Sequence, residues 1–194
     1  MKATLKKYGN CSIVPIKVEW ILIRIGGATK RGERMSYLLA VKEILEFAVY
    51  IEERGYEFYI GAMKKFSEPR VTELFQYLAD EEFKHEKVFQ KLAEQSGGLK
   101  GGNRDPEYQA YMKEFCKAHS LADLEVTAAR LAKASGLEDV LDMAMGFEKD
   151  SIVFFSMLKD MYPPEQCGPV ETVIHEEMGH LRKVFQMKRE MIKR

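Results

Sequence analysis

Two stretches of the sequence are near-copies of each other and decide the fold: ADEEFKHEKVFQ, residues 79–90, and IHEEMGHLRKVFQ, residues 174–186. Each has the apolar spacing of a helix that buries one face. Each also sets a glutamate and a histidine three residues apart on that face, namely Glu82 with His85 and Glu177 with His180. Because positions i and i+3 of a helix are neighbours, each pair can aim a carboxylate oxygen and an imidazole nitrogen at one point.

Two further long helices are predicted, and each carries one acid on its apolar face. The first spans about 36–66 and carries Glu52, and the other spans about 137–161 and carries Glu148. They precede the two helices already described, which begin at the Ser67–Pro69 cap and at about 169, and end near 97 and 193. Glu52 and Glu148 are 96 residues apart, and Glu82 and Glu177 are 95 apart. The chain therefore repeats one helix pair.

The segment between the two pairs is long enough to cross the molecule. Residues 97–105 are predicted to form a loop, followed by helical pieces at 105–118 and 121–135. Such a crossover connects one end of a helix pair to the other end of the molecule. The predicted fold is all-α, an antiparallel four-helix bundle over residues 36–194 with a long helical crossover between its second and third long helices.

Residues 1–35 form a separate N-terminal extension. The stretch IKVEWILIRI, residues 16–25, alternates apolar and charged side chains, which is typical of a strand. A single strand cannot bury its own face, so it must pair with something, be mobile or not belong to the natural chain. In the last case translation would begin at Met35.

The overall composition excludes several classes of protein. Lys plus Arg equals Asp plus Glu at 30 each, which argues against a surface for nucleic acid or anionic membranes. Three cysteines without a C-x-x-C pair argue against a disulfide framework, a zinc ribbon or a built-in rubredoxin-type iron site. No apolar run reaches transmembrane length, and charges interrupt the one candidate signal peptide. We expect a cytoplasmic protein.

Helix geometry predicts that the acids and histidines meet at one height. Glu52 lies 14 residues before the predicted end of its helix, and Glu82 lies 14 residues after the predicted start of the next. Any one such residue could be an ordinary hydrogen-bonded core residue, but six in a symmetric pattern favour a site. Two divalent cations would offset four buried carboxylates, and two neutral imidazoles would complete the shell. These ligands suit iron, manganese or zinc.

Two tyrosines and one motif need separate interpretation. Tyr56 and Tyr59 follow Glu52 on the same face, either as core aromatics or as groups that contact a metal ligand or gate a substrate. HEEMGH resembles the zinc-protease motif, but its histidines, His175 and His180, are five residues apart and do not share a helix face.

The pattern resembles the rubrerythrin-like branch of the ferritin-like di-iron carboxylate superfamily, over about residues 36–193. The resemblance implies a ferritin-like bundle that binds two metal ions, with iron favoured over manganese or zinc. It implies six metal ligands, of which Glu82 and Glu177 are the bridges: Glu52, Glu82, His85, Glu148, Glu177 and His180. One position departs from the family pattern, because Ser151 stands where an additional glutamate follows Glu148 by one turn. In rubrerythrins that acid lets the iron shift position during redox cycling, so its absence puts peroxidase activity by that route in doubt.

The resemblance also implies a function in oxidative stress. A rubrerythrin-type di-iron oxidoreductase reduces peroxide or dioxygen with electrons from a separate donor such as a rubredoxin, and a homo-oligomer, with a dimer favoured, is expected. One alternative is a ferroxidase or iron-storage protein, which would need a cage of many subunits. Another is a metal-binding protein, for example a zinc protein, without redox turnover.

Overall fold

The computed structural model describes residues 41–96 and 106–192, and all regular structure in these ranges is helical. Six α-helices follow in order: α1 Val41–Met63, α2 Pro69–Gln95, α3 Pro106–Ala118, α4 Leu124–Lys133, α5 Leu137–Lys159 and α6 Gly168–Ile192. A 3-10 turn, Pro164–Gln166, connects α5 to α6. The strand pattern and the predicted start of the first helix lie outside the described residues.

The four long helices form two hairpins that pack against each other. Helix α1 packs along α2, and α5 packs along α6, while α1–α5 and α2–α6 contacts join the two hairpins. Helices α3 and α4 form the crossover, with α3 against α5 and α4 against α1. The predicted all-α bundle with its helical crossover is confirmed. None of the described helices is long and apolar enough to span a membrane.

Both ends of α4 are capped, and the cap at its C-terminal end joins the crossover to the first hairpin. Asp123 caps α4, since its carboxylate accepts a hydrogen bond of 3.0 Å from the backbone N–H of Val126. At the other end of α4, the ammonium of Lys65 donates to the carbonyl oxygens of Leu131 and Ala134 at 2.5 and 3.3 Å. A cation at these carbonyls satisfies groups that the end of a helix leaves unpaired.

The start of α2 lies within the predicted cap at Ser67–Pro69. The residue at the N-cap is Glu68, and its side chain makes no cap hydrogen bond. Pro69 occupies the first helical position, and the residue before a proline is held in an extended conformation, with ψ of 121° at Glu68. Proline therefore fixes this boundary. Helix α1 ends at Met63, a few residues before the predicted end at about 66.

The core consists of two apolar clusters separated by a polar layer. One cluster contains Phe47, Phe89 and Phe155, and the other contains Phe58, Phe75 and Phe147. Along every long helix the chain passes from one cluster to the other, and the residues between them are the buried acids and histidines. This arrangement places the polar layer about halfway along the bundle, where water is largely excluded.

Candidate metal centre

The polar layer brings together all six residues that the sequence singled out. Each long helix contributes, and no member is more than 6% exposed: Glu52 from α1, Glu82 and His85 from α2, Glu148 from α5, and Glu177 and His180 from α6. Helical periodicity explains the placement, since each of these residues continues an apolar face.

The six side chains form two overlapping groups of four. The first group is Glu52, Glu82, His85 and Glu177, and the second is Glu82, Glu148, Glu177 and His180. In each group one ligand atom per residue lies within 4.8 Å of every other. Glu82 and Glu177 belong to both groups, whereas the other four belong to one each. This is the layout of two neighbouring cation positions with two shared carboxylates.

Both histidines turn the same nitrogen toward the acids. Nδ1 of His85 lies 2.8 Å from Oε1 of Glu177 and 3.8 Å from Oε2 of Glu52. Nδ1 of His180 lies 3.1 Å from Oε2 of Glu177 and 3.8 Å from Oε2 of Glu148. The two imidazole rings are stacked, with centroids 5.5 Å apart. Each Nδ1 therefore faces the shared Glu177 and the acid of its own group.

The outer nitrogens of the two histidines have different surroundings. Nε2 of His85 lies 3.0 Å from Oε2 of Glu176, a half-exposed acid of α6. Nε2 of His180 has no hydrogen-bond partner in the described part of the chain. The ring of Tyr77 stands nearly perpendicular to the His180 ring at 5.7 Å. A carboxylate thus orients one histidine, and an aromatic ring packs against the other.

Buried polar atoms without partners are concentrated in this layer. Eight buried side-chain atoms lack a hydrogen bond within the described ranges, and five of them belong to the six residues. These five atoms are Oε1 of Glu52, Nδ1 of His85, Oε2 of Glu148, Oε1 of Glu177 and Nε2 of His180. Unpaired buried oxygens and nitrogens are costly unless something else binds them.

The protein alone balances the charge of the layer by shifting the pKa values of the acids. Burial, reinforced by the neighbouring acids, raises the pKa of Glu52 and of Glu148 well above 4.5. Burial and the charge of Glu177 raise the pKa of Glu82 to about 6. Burial also opposes ionisation of Glu177, but the two histidines beside it outweigh burial and lower its pKa. Four carboxylates therefore do not all ionise together here without added positive charge.

His85 is the cationic partner of the shared acid. Burial lowers its pKa, but the carboxylate of Glu177, 2.8 Å from its Nδ1, outweighs burial. Glu82 and Glu176 add to this effect and give His85 a pKa of about 9. The proton on His85 thus supplies part of the positive charge that the acids require.

One of the two singled-out tyrosines contacts the layer directly. The hydroxyl of Tyr59 on α1 donates a hydrogen bond of 2.5 Å to Oε1 of Glu148 on α5. Burial and the charge of Glu148 raise the pKa of Tyr59 well above 10, so the phenol keeps its proton and remains a donor. The half-buried Tyr56 packs its ring 6.4 Å from Phe83 at the surface.

Sequence reasoning missed Glu176 and Tyr77. Glu176 directly precedes Glu177, but Glu81 stands in the same place before Glu82 and binds Lys84 instead. The pattern alone therefore does not reveal which of the two acids reaches a histidine. Tyr77 is more than one-third exposed and reads as a surface residue of α2.

The bundle and its buried carboxylate layer define a ferritin-like helical protein. The chain belongs to the rubrerythrin family, whose sequence model matches residues 43–188. A similar solved structure is that of a Thermotoga maritima protein described as a ferritin-like diiron-carboxylate protein, with 29% identity and a TM-score of 0.57. The alignment covers 79% of this chain and 97% of that protein. No curated protein matches the sequence.

Proposed function

We propose that this protein is a di-iron oxidoreductase of the rubrerythrin type, which reduces hydrogen peroxide or dioxygen with electrons from an external donor. The observation that carries the proposal is the pair of overlapping carboxylate–imidazole groups that share Glu82 and Glu177. Membership of the rubrerythrin family supports it, as does similarity to a protein described as diiron-carboxylate.

The residues of the layer fit two divalent cations. Four positive charges would offset the four carboxylates, and two neutral imidazoles would complete the ligand set. One ion would be held by Glu52 and His85, the other by Glu148 and His180, and both by the two shared acids. Four of the five unpaired atoms of the layer would then have partners, and the exception is Nε2 of His180, the outer nitrogen of its ring. Mixed carboxylate and imidazole ligands suit iron, and also manganese or zinc.

Bound iron would supply the two electrons that cleave an O–O bond, and two electrons with two protons convert hydrogen peroxide to two water molecules. The protein contributes the surroundings. The two apolar clusters restrict water on both sides of the layer, which limits side reactions at the site. Tyr59 holds a proton at Oε1 of Glu148, next to one metal position. An external reductant must restore the two electrons after each turnover.

A second candidate is iron oxidation for storage, and one residue favours it. Ser151, one turn after Glu148, is buried at a position where rubrerythrins have an additional glutamate. Without that carboxylate, an iron ion that leaves its first set of ligands has no second carboxylate to bind. Storage requires a closed cage of many subunits, so the size of the assembly separates the candidates. A dimer favours the oxidoreductase.

Stopped-flow kinetics tests the proposal. Protein loaded anaerobically with Fe²⁺ is mixed with hydrogen peroxide or with dioxygen, and iron oxidation is followed by absorbance. We expect one peroxide to oxidise two irons, and repeated turnover when reductant is supplied. The His180→Ala variant should lose this reaction, whereas His175→Ala should retain it, because His175 is exposed and bonds the Glu171 carbonyl. Oxidation that stops after one cycle despite excess reductant would contradict the oxidoreductase.

A further inference from the structure

Gly55 is a buried glycine in the middle of α1, one turn after Glu52. Glycine is the least favourable residue after proline in a helix interior, because it loses the most backbone freedom on folding. Alanine at the same position would favour the helix. We therefore expect neighbouring atoms to leave no room for a side chain at this position.

The space next to Gly55 is filled by the side chain of Glu82. A Cβ atom at position 55 would lie 3.1 Å from Cδ, 3.2 Å from Oε2 and 3.3 Å from Cγ of Glu82. These distances are shorter than ordinary van der Waals contact. The carboxylate of Glu82 thus lies against the backbone of α1, and a methyl group at position 55 would require it to move by a few tenths of an ångström.

The displaced group would be one of the two carboxylates that both metal positions share. Glu82 belongs to both ligand groups, so a shift of its oxygens changes the geometry of both at once. The layer has little room for compensation, since Glu52 and His85 on either side are also buried. The corresponding position in the second hairpin is held by another small residue, the buried Ser151.

We propose that Gly55 is a positioning residue, which keeps the carboxylate of Glu82 where it can be shared by two metal ions. This inference rests on the metal site proposed above. Gly55 touches no metal itself and acts through the place that it leaves for Glu82. A larger residue would leave the helix intact while weakening both positions.

Other helical glycines supply matched controls. A Cβ added at Gly146 in α5 or at Gly179 in α6 would meet nothing within 4 Å. Gly146 lies two residues before Glu148, so it is close to the same layer. Alanine at Gly146 should stabilise its helix without touching a ligand, and the comparison separates helix preference from displacement of Glu82.

A double-mutant cycle in metal-free full-length protein measures the displacement without relying on metal. With Glu82 present, Gly55→Ala should lower the melting temperature or leave it unchanged. In the Glu82→Ala background the same change should raise it by about 2–4 °C, because space is then available. Gly146→Ala should raise it equally in both backgrounds. An equal effect of Gly55→Ala in both backgrounds would overturn the inference.

Titration of the same proteins with Co²⁺ under anaerobic conditions then measures the consequence. Wild type and Gly146→Ala should bind two ions per chain with equal affinity, and Gly55→Ala should bind at least about tenfold more weakly. Circular dichroism verifies that each variant is helical. Wild-type affinity in Gly55→Ala would overturn the positioning role alone. Failure of wild type to bind two ions would overturn the proposed metal site and this inference with it.

Discussion

The two hairpins of the bundle have the same design but do not surround their ligands in the same way. Each contributes one single acid and one Glu-x-x-His pair to the layer. In the first hairpin, His85 is bound by Glu176 and Gly55 makes room for Glu82. In the second, His180 packs against Tyr77 and Glu148 accepts a hydrogen bond from Tyr59.

This difference teaches that a repeated ligand pattern need not give equivalent positions. A carboxylate on the outer nitrogen of a ligating histidine fixes the ring and increases its basicity. A phenol on a ligating carboxylate orients it without adding negative charge. Because only Glu176 adds negative charge at a ligand, we expect the position of Glu52 and His85 to bind its ion more tightly than that of Glu148 and His180.

The largest effect should separate shared acids from unshared ones. Glu177→Ala removes a ligand from both positions and should leave less than one ion per chain, whereas Glu148→Ala should leave about one. Elemental analysis of loaded and desalted protein measures the difference. Glu165→Ala, an exposed residue of the 3-10 turn, should keep the wild-type content. Equal losses in Glu177→Ala and Glu148→Ala would refute the sharing.

The next largest effect concerns the carboxylate that only His85 has on its outer nitrogen. Glu176→Ala removes the carboxylate from Nε2 of His85 and should weaken the tighter position about 10–100-fold. Glu81→Ala is the matched control, since Glu81 has the equivalent place but binds Lys84 instead. Stepwise affinities from Co²⁺ titration measure both. If the Co²⁺ affinity falls by the same factor in both variants, the carboxylate of Glu176 does not distinguish the two metal positions.

The pH dependence of the metal-free protein tests the charge balance of the layer. The folded protein raises the pKa values of Glu52, Glu82 and Glu148 above 4.5. The free energy of unfolding therefore falls as the pH rises through these raised values and the buried carboxyl groups lose their protons. His85, with a pKa of about 9 against 6.5, likewise contributes stability below pH 6.5 that disappears as pH rises through 9. The lowered pKa of Glu177 changes the free energy of unfolding only below pH 4.5.

From pH 6 to 9 the contributions of Glu52, Glu148 and His85 have the same sign. The contribution of Glu82 is mostly lost by pH 6, and burial lowers the pKa of His119 to about 4, which opposes the fall only up to about pH 6.5. We therefore expect the free energy of unfolding of metal-free protein to fall steadily over this range, as measured by urea denaturation. In Glu52→Gln one of these titrating groups is absent, so the fall should be shallower. A metal-free wild type that becomes more stable between pH 6 and 9 would contradict the charge balance described here.

The smallest effect concerns the phenol that distinguishes the second position. Tyr59→Phe removes the hydrogen bond to Glu148 and makes the first hairpin like the second, where Phe155 stands at the equivalent place. The metal-free protein should lose about 1 kcal/mol of unfolding free energy. Tyr56→Phe, whose ring packs toward the surface, should lose less. Equal losses would mean that the bond to Glu148 does not matter.

Much of this architecture could be predicted from the sequence, for a definite reason. A helical period fixes which side chains share a face, and the repeat fixes their height, so periodicity alone indicated that Glu52, Glu82 and His85 would meet. The bundle and its crossover followed from the lengths of the helices and loops. The role of these residues as metal ligands remains a proposal.

The remaining features depend on how different helices approach each other, which periodicity does not specify. Tyr59 was a candidate, but its partner Glu148 lies on α5, across the hairpin interface. Glu176 reaches His85 only because α2 and α6 pack side by side. The start of α2 was predicted within one residue, because the proline after Glu68 sets it.

Metal content of the wild-type protein tests the central claim most directly. The full chain is loaded anaerobically with Fe²⁺, freed of unbound metal by gel filtration, and analysed for iron and protein. Two overlapping ligand groups require close to two ions per chain, both lost on treatment with a chelator. A content near one would contradict the shared carboxylates, and a content near zero would mean that the buried layer is not a metal site.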